Sequence, residues 1–362
     1  MRHCLGSALF LSGDELGQVI SVRTNLLSWL ALFRLGATAR GILPFLLGGV
    51  IAWSRGVSID GSVLLLSSLA VFCIMLMTFL LNEYYDYATD IANEDYHRLS
   101  GGSRVLPLGL IPRRHAVITA YIFLAAAIVI GLALHFLFRT GPLTIPLGAA
   151  AIFTGYFYSA GPFRWSYRGL GEIAIAFTCG WLATVAGYYL QAGRLDAVAT
   201  LASLPGAFSV FLVILINEIP DIKSDRLSGK NNLAVRLGRE KTGVLYSILL
   251  IICGVNIIVN VFFGVPLMSA YLSIVLLPLI IWNILTISRK GLADRQVQEW
   301  LSIRTMVFDH LITVIYAVSF IVAGLNIMVL DVHRLVMLAA AFIGVFLLEV
   351  LGLACSKSVV AQ

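Results

Sequence analysis

Charge is what this chain has least of. Asp, Glu, Lys and Arg make up 12% of its 362 residues, against about 25% in soluble domains. Apolar residues make up 59%. That balance argues against a soluble enzyme and for a polytopic membrane protein. Cysteine chemistry is also missing. The five cysteines are scattered, with no C-x-x-C and no Cys/His cluster, which argues against a zinc site or a disulfide framework. The six histidines form no H-E-x-x-H pair. Up to about Val22 the chain is mixed in polarity, with Asp14 and Glu15. It lacks the basic, apolar and small-residue order of a cleaved signal peptide. The net charge of +6 does not call for nucleic acid, because Lys and Arg in a membrane chain mark its loops.

What is present is apolar length. Stretches of about 20 residues can cross a bilayer as helices. Ten are expected, near 26–53, 62–85, 115–138, 142–160, 170–191, 198–220, 242–263, 266–287, 307–329 and 333–354. The fold class is therefore all-α and polytopic. Basic residues alternate between the loops. Nineteen fall on the side of the termini, against Arg55, Arg139, Arg194 and Arg334 on the other. The positive-inside rule then predicts both termini in the cytoplasm.

Against this apolar background two acidic segments share one pattern, N-E-x-x-D-x-x-x-D. One is Asn82, Glu83, Asp86 and Asp90; the other is Asn217, Glu218, Asp221 and Asp225. Each ends a span, and both face the predicted cytoplasmic side. Ionisable groups at hydrocarbon are costly and point to function. On a helix, positions i, i+4 and i+8 share a face. The spacing predicts one stripe of Asn82, Asp86 and Asp90 and another of Asn217, Asp221 and Asp225, with Pro220 loosening the second helix. Glu83 and Glu218 point about 100° away, toward either a second metal or polar loop groups.

Two facing stripes offer four carboxylates and two amide oxygens, an oxygen-only set suited to Mg²⁺. Mg²⁺ usually keeps positions for substrate phosphates. Arg98, Arg104, Lys223, Arg226 and Lys230 lie in the following loops and are expected to donate to phosphate. Those loops, 99–106 and 227–233, are both Gly-containing and basic, so the chain looks loosely duplicated. The expected ligand is a diphosphate carried by a lipid. If its isoprenyl chain left as an allylic cation, aromatic faces would stabilise it, and Tyr84, Tyr85, Tyr87, Tyr156, Phe157 and Tyr158 are candidates. A transporter that uses the acids as a cation path is the rival from another class. Transporter acids usually sit singly near the midplane, unlike these matched sets.

At these residues the chain resembles the UbiA superfamily of intramembrane prenyltransferases, over roughly 26–329. The second motif continues from Asp225 to Gly238 in a way similar to the family's D-x-x-x-G-K-x-T-L-A-V-R-L-G, with Asn232 at the Thr position. The stretch Tyr158–Glu172 is similar to a segment of 1,4-dihydroxy-2-naphthoate prenyltransferases, as are 101–106 and 187–193. The resemblance implies nine helices around a central cavity, two Mg²⁺ ions and prenylation of an aromatic ring in menaquinone synthesis. It implies that Asp86, Asp90, Asp221 and Asp225 are catalytic and hold metal with Asn82 and Asn217. It also implies substrate contacts from Arg34, Arg104, Lys223, Lys230, Tyr158 and Ser159. Other rings, 4-hydroxybenzoate or homogentisate, stay open as acceptors. The chain departs from the family at Glu83, at Arg34-Leu35-Gly36-Ala37, and in a tenth helix. The expected organisation is a cytoplasmic segment 1–25, a membrane domain 26–329 and a C-terminal helix and tail 330–362, in the cell membrane with the site open to the cytoplasm. Glu172 is expected either to favour the start of its own span or to bind the acceptor. Asp309 and His310 are expected to be local polar packing.

Overall fold

The computed structural model describes residues 26–96, 100, 102–325, 341, 342, 344 and 345. The expected segment 1–25, Arg98 and the tenth helix with its tail lie outside these residues, apart from four residues of that helix. The structure is all-α. Among the described residues, eight helices are long and apolar enough to cross a bilayer. They are α1 (Leu35–Ser54), α2 (Gly61–Tyr85), α4 (Arg113–Phe136), α6 (Gly171–Ala192), α7 (Ala197–Asn217), α9 (Leu233–Val261), α10 (Met268–Lys290) and α11 (Arg295–Leu325). The shorter apolar helix α5 (Thr144–Tyr156) fills the fourth expected span. Two six-residue helices, α3 (Tyr87–Ala92) and α8 (Ile222–Leu227), follow the acidic ends of α2 and α7.

Helix starts follow the local chemistry. Asp60 Oδ1 accepts from the backbone N–H groups of Ser62 and Val63 at the start of α2. Asp196 does the same for Val198 and Ala199 in α7. These acids cap donors that a helix cannot satisfy itself.

Burial divides the helices. Nearly all of α1 is buried, whereas α4 and α10 expose most of their apolar surface. An apolar helix that exposes its sides suits hydrocarbon as solvent. The central α1 packs against α6, and glycines allow the approach. A Cβ on Gly48 would meet the Thr184 carbonyl oxygen at 2.1 Å, and one on Gly187 would meet the Phe45 oxygen at 1.9 Å. Small residues at such contacts let membrane helices pack by van der Waals contact.

The two motif-bearing helices are not continuous, which corrects the expectation of unbroken stripes. Helix α2 ends at Tyr85, and Asp86 (φ −85°, ψ 4°) joins it to α3. Bonds from Asp86 N to the Asn82 oxygen and from Asp90 N to the Asp86 oxygen still preserve the i, i+4 stacking. Helix α7 stops at Asn217, and the chain turns through 218–221 before α8. Pro220 lacks the N–H that would continue the ladder to Ile216.

Candidate active site

The ends of α2 and α7 open onto one cavity of about 480 Å³. Asn82, Asp86, Asp90, Asn217, Asp221 and Asp225 all line it, as do Glu218 and Lys230. Helices from the two halves of the chain thus bring the paired motifs to a shared mouth. The remaining wall is largely apolar, from α1, α2, α4, α5 and α6. A charged mouth on an apolar chamber fits a molecule with an anionic head and a hydrocarbon tail.

Lys230 joins the two motifs. Its Nζ stands 3.2 Å from Asp86 Oδ2 and 3.7 Å from Asp225 Oδ1. Burial pushes this ammonium down, but the charges of Asp86 and Asp225 outweigh it and hold Lys230 well above the ordinary lysine range. Asp86 is the most heavily bonded acid. It also accepts from Asn82 Nδ2 at 2.8 Å and from the Tyr167 hydroxyl at 2.9 Å. Asn82 Nδ2 donates in turn to Ser159 Oγ at 2.9 Å. Asp221 Oδ1 accepts from Asn93 Nδ2 at 2.8 Å, which bridges the motifs again. Asp225 Oδ2 accepts from Asn232 Nδ2 at 2.7 Å.

Burial raises Asp90 well above the usual carboxylate range, with the neighbouring charges of Glu83 and Asp86 adding to it. Burial also raises Asp225, partly offset by Lys230. In both, burial disfavours the charged form, which a nearby cation would favour.

Among the described residues no three His, Cys, Asp or Glu side chains converge closely enough to cage an ion unaided. The donor set nevertheless fits Mg²⁺, which commonly takes one or two carboxylates and completes its shell with phosphate and water. Asn217 Oδ1 and Glu218 Oε2 are buried acceptors without a hydrogen-bond donor. Gly102 (φ +71°) backs the site so closely that a Cβ there would meet Asp90 Oδ2 at 2.7 Å.

The other expected residues divide. Arg34 adopts a left-handed φ of 50° between the helical residues 26–32 and α1. It reaches the site and donates to Asn82 Oδ1 at 3.4 Å. Arg104 also lines the cavity and donates to the Asp90 carbonyl oxygen. Tyr158 lines the wall, and Ser159 lies behind it on Asn82. Lys223 is a correction: it sits on an exposed face of α8, outside the cavity wall. Ser224 and Asp225, the next two residues, turn about 100° and 200° away from it onto the buried face of α8. Arg226 turns to the Val235 carbonyl oxygen at 3.2 Å.

Glu83 bonds to the loop: it accepts from Ser103 N at 2.7 Å and Ser103 Oγ at 2.8 Å. Glu172 stands in the first turn of its own helix and also serves another. It accepts from Leu233 N at 2.7 Å and so satisfies the start of α9. Of the six aromatic candidates only Tyr158 lines the cavity, joined by Phe45, Phe79 and Tyr96. Tyr84 and Tyr87 instead stack on Arg113 at 4.8 and 4.3 Å, and Phe157 packs on Phe153 and Phe163. Sequence reasoning missed Asn93, Tyr167 and the role of Asn232. Asn232, at the family's Thr position, and Tyr167, inside the family-like stretch Tyr158–Glu172, carried a signal; Asn93 carried none.

The UbiA prenyltransferase family profile matches residues 42–308, a span that takes in both motifs and most of the cavity lining. The chain belongs to the UbiA prenyltransferase family. Among similar proteins, the 1,4-dihydroxy-2-naphthoate octaprenyltransferase of Mycobacterium leprae is 36% identical over 179 residues, covering 49% of this chain and 60% of that protein. The enzyme of the same name from Escherichia coli is 29% identical over 216 residues, covering 58% of this chain and 68% of its own. The chain thus spans less than two thirds of the length of its mycobacterial relative. A solved UbiA homologue from Archaeoglobus fulgidus bound to GPP and Mg²⁺ has a TM-score of 0.56 at 19% identity. It covers 82% of this chain and 99% of that one. That likeness carries the UbiA fold.

Proposed function

We propose that this UbiA enzyme transfers an isoprenyl chain from its diphosphate to an aromatic acceptor, 1,4-dihydroxy-2-naphthoate, in menaquinone synthesis. The observation that carries the reading is the split site: Asp86 and Asp225, from opposite halves, share Lys230 at the mouth of an apolar cavity. The names of the relatives support the acceptor.

Asp86, Asp90, Asp221 and Asp225, with Asn82 and Asn217, would hold two Mg²⁺ ions. When bound, Mg²⁺ supplies charge neutralisation for the departing diphosphate. Lys230, Arg104 and Arg34 orient the diphosphate oxygens, and charged donors do this most strongly. The apolar wall holds the chain and excludes water from the carbon that loses its oxygen. The C1–O bond breaks with its electron pair leaving on diphosphate. The ring carbon that bears the carboxylate then bonds to C1, and the carboxylate leaves as CO2 with the electrons of its bond returning to the ring. Phe79 and Tyr158 present aromatic surface to the allylic charge. The basic loops favour a site that opens to the cytoplasm from the cell membrane.

The test is transfer of a radiolabelled prenyl diphosphate by purified protein, with Asp86→Asn and Asp221→Asn. Both variants are expected to lose at least about 100-fold in rate, as for loss of a transition-state charge partner. Wild-type, Mg²⁺-dependent transfer by both variants would remove the metal assignment. Absence of transfer by the wild type to every aromatic acceptor would remove the enzyme reading.

A further inference from the structure

Arg304, on α11, lies outside the cavity that Met306 of the same helix lines. It sits nine residues beyond Arg295, the first residue of α11, about 14 Å along the helix. Its Nη2 donates to Thr286 Oγ1 on α10 at 3.1 Å. Its guanidinium carbon lies 4.7 Å from the centre of the Trp282 ring. Trp282 is 60% exposed, so the contact lies at the outer surface of the bundle. Both partners are neutral. Among the described residues no carboxylate pairs with Arg304, and its Nε is buried without an acceptor.

The surroundings suit a lipid headgroup. On α10, Trp282, Thr286 and Arg289 fall at i, i+4 and i+7, one face of a helix. Arg289 and Lys290 are exposed in its last turn. On α11, Trp300 shares the face of Arg304 at i and i+4 and is 55% exposed. This is the mouth end of the bundle, because Arg295 lies 5.8 Å from the ring centre of Tyr96, which lines the cavity. Side chains on a helix tilt toward its N-terminus, so Arg304 reaches back toward that surface of the bilayer. Exposed Trp is at home at the membrane–water interface. A charge within a span is costly and calls for a partner. No protein acid answers Arg304, whereas a phosphate from the bilayer would, and a guanidinium fork matches phosphate. Basic pockets between spans bind anionic headgroups in this way.

We propose that the groove between α10 and α11 binds the phosphate of an anionic membrane lipid. Arg304 supplies the fork of donors, and Arg289 and Lys290 supply outer charge. Trp282 and Trp300 border the glycerol and the first acyl carbons. Helix α10 exposes most of its sides, so a lipid held by both helices ties it to α11. The site is separate from the acidic mouth and does not depend on the transfer reading above.

The experiment uses full-length protein in nanodiscs of phosphatidylcholine, with or without phosphatidylglycerol. Thermal melts are recorded in both, and native mass spectrometry counts the phosphatidylglycerol retained on release. Phosphatidylglycerol should raise the wild-type melting temperature and stay bound. Arg304→Gln is expected to abolish the rise and to cut retention about tenfold or more, the scale of a lost charged hydrogen bond. Arg304→Lys should keep part of both. Lys223→Gln, exposed on α8 outside the groove, should match the wild type. Equal losses in Arg304→Gln and Lys223→Gln would assign the effect to diffuse surface charge and overturn the proposal. A merely structural contact between Arg304 and Trp282 would lower melting equally in both bilayers and leave retention unchanged, which also overturns it. Inorganic phosphate that stabilises the protein in phosphatidylcholine and displaces phosphatidylglycerol would assign the groove to a free anion instead of a lipid. If Arg304→Gln does not fold, brominated lipids decide. The quenching lost on Trp282→Phe should be larger with brominated phosphatidylglycerol than with brominated phosphatidylcholine, and equal quenching overturns the site.

Discussion

Lys230 and Asp86 lie in different halves of the chain, yet Lys230 Nζ sits 3.2 Å from Asp86 Oδ2. One ammonium thus ties the second motif's loop to the first motif's acid. Removal of one partner from a buried pair leaves an uncompensated charge, which costs about 3–5 kcal/mol when burial is complete. Lys230→Met should therefore destabilise the metal-free protein, and Mg²⁺ should recover part of the loss by supplying another cation. KM for the prenyl diphosphate should rise about tenfold or more, as a charged phosphate contact is lost. Thermal melts with and without Mg²⁺, beside steady-state kinetics, check both statements.

Asn232 carries two tasks at once. Its Oδ1 accepts from Val235 N at 2.8 Å at the start of α9, and its Nδ2 donates to Asp225 at 2.7 Å. Asn232→Thr preserves a capping oxygen and replaces the amide donor with a hydroxyl on a shorter side chain, which reaches Asp225 less well. It should change stability by less than about 1 kcal/mol, the scale of exchange between good caps, while Mg²⁺-dependent activity falls. Asn232→Ala should lose both. An Asn232→Thr enzyme with wild-type Mg²⁺ dependence would show that the bond to Asp225 is dispensable.

Glu172 serves α9 from the start of α6. Glu172→Gln keeps the acceptor for Leu233 N and should melt near the wild type. Glu172→Ala leaves a buried N–H unsatisfied, at a cost of about 1–3 kcal/mol. Equal melting temperatures for the two variants would contradict the assignment.

Asp90 titrates above the usual aspartate range because it is buried beside Glu83 and Asp86. A raised carboxyl favours the folded state when protonated, so its contribution is lost as pH rises through the folded value. In chelator, wild type should melt below Asp90→Asn at high pH. The gap should close as pH falls toward the ordinary aspartate value of about 3.9. Paired melts across pH read the sign directly, and a gap that widens on acidification would refute it.

The sequence by itself determined the all-helical membrane class, because apolar length is a local property that a bilayer reads directly. It also determined the acidic motifs, since matched carboxylates stand out where charge is scarce. Nine spans were legible in this way, and Pro220 marked the break after α7. Tertiary packing decided the rest. Lys223 and Lys230 share the same loop region and charge, but only Lys230 turns inward between two carboxylates. Glu172 stands in the first turn of its own helix, yet the donor it accepts from, Leu233 N, lies on another helix 61 residues away. Tyr84, Tyr85 and Tyr87 surround the first motif in sequence, while Tyr167, far from it, donates to Asp86. Spacing along one helix fixes which residues share a face, but the faces of different helices meet only through the packing of the whole bundle.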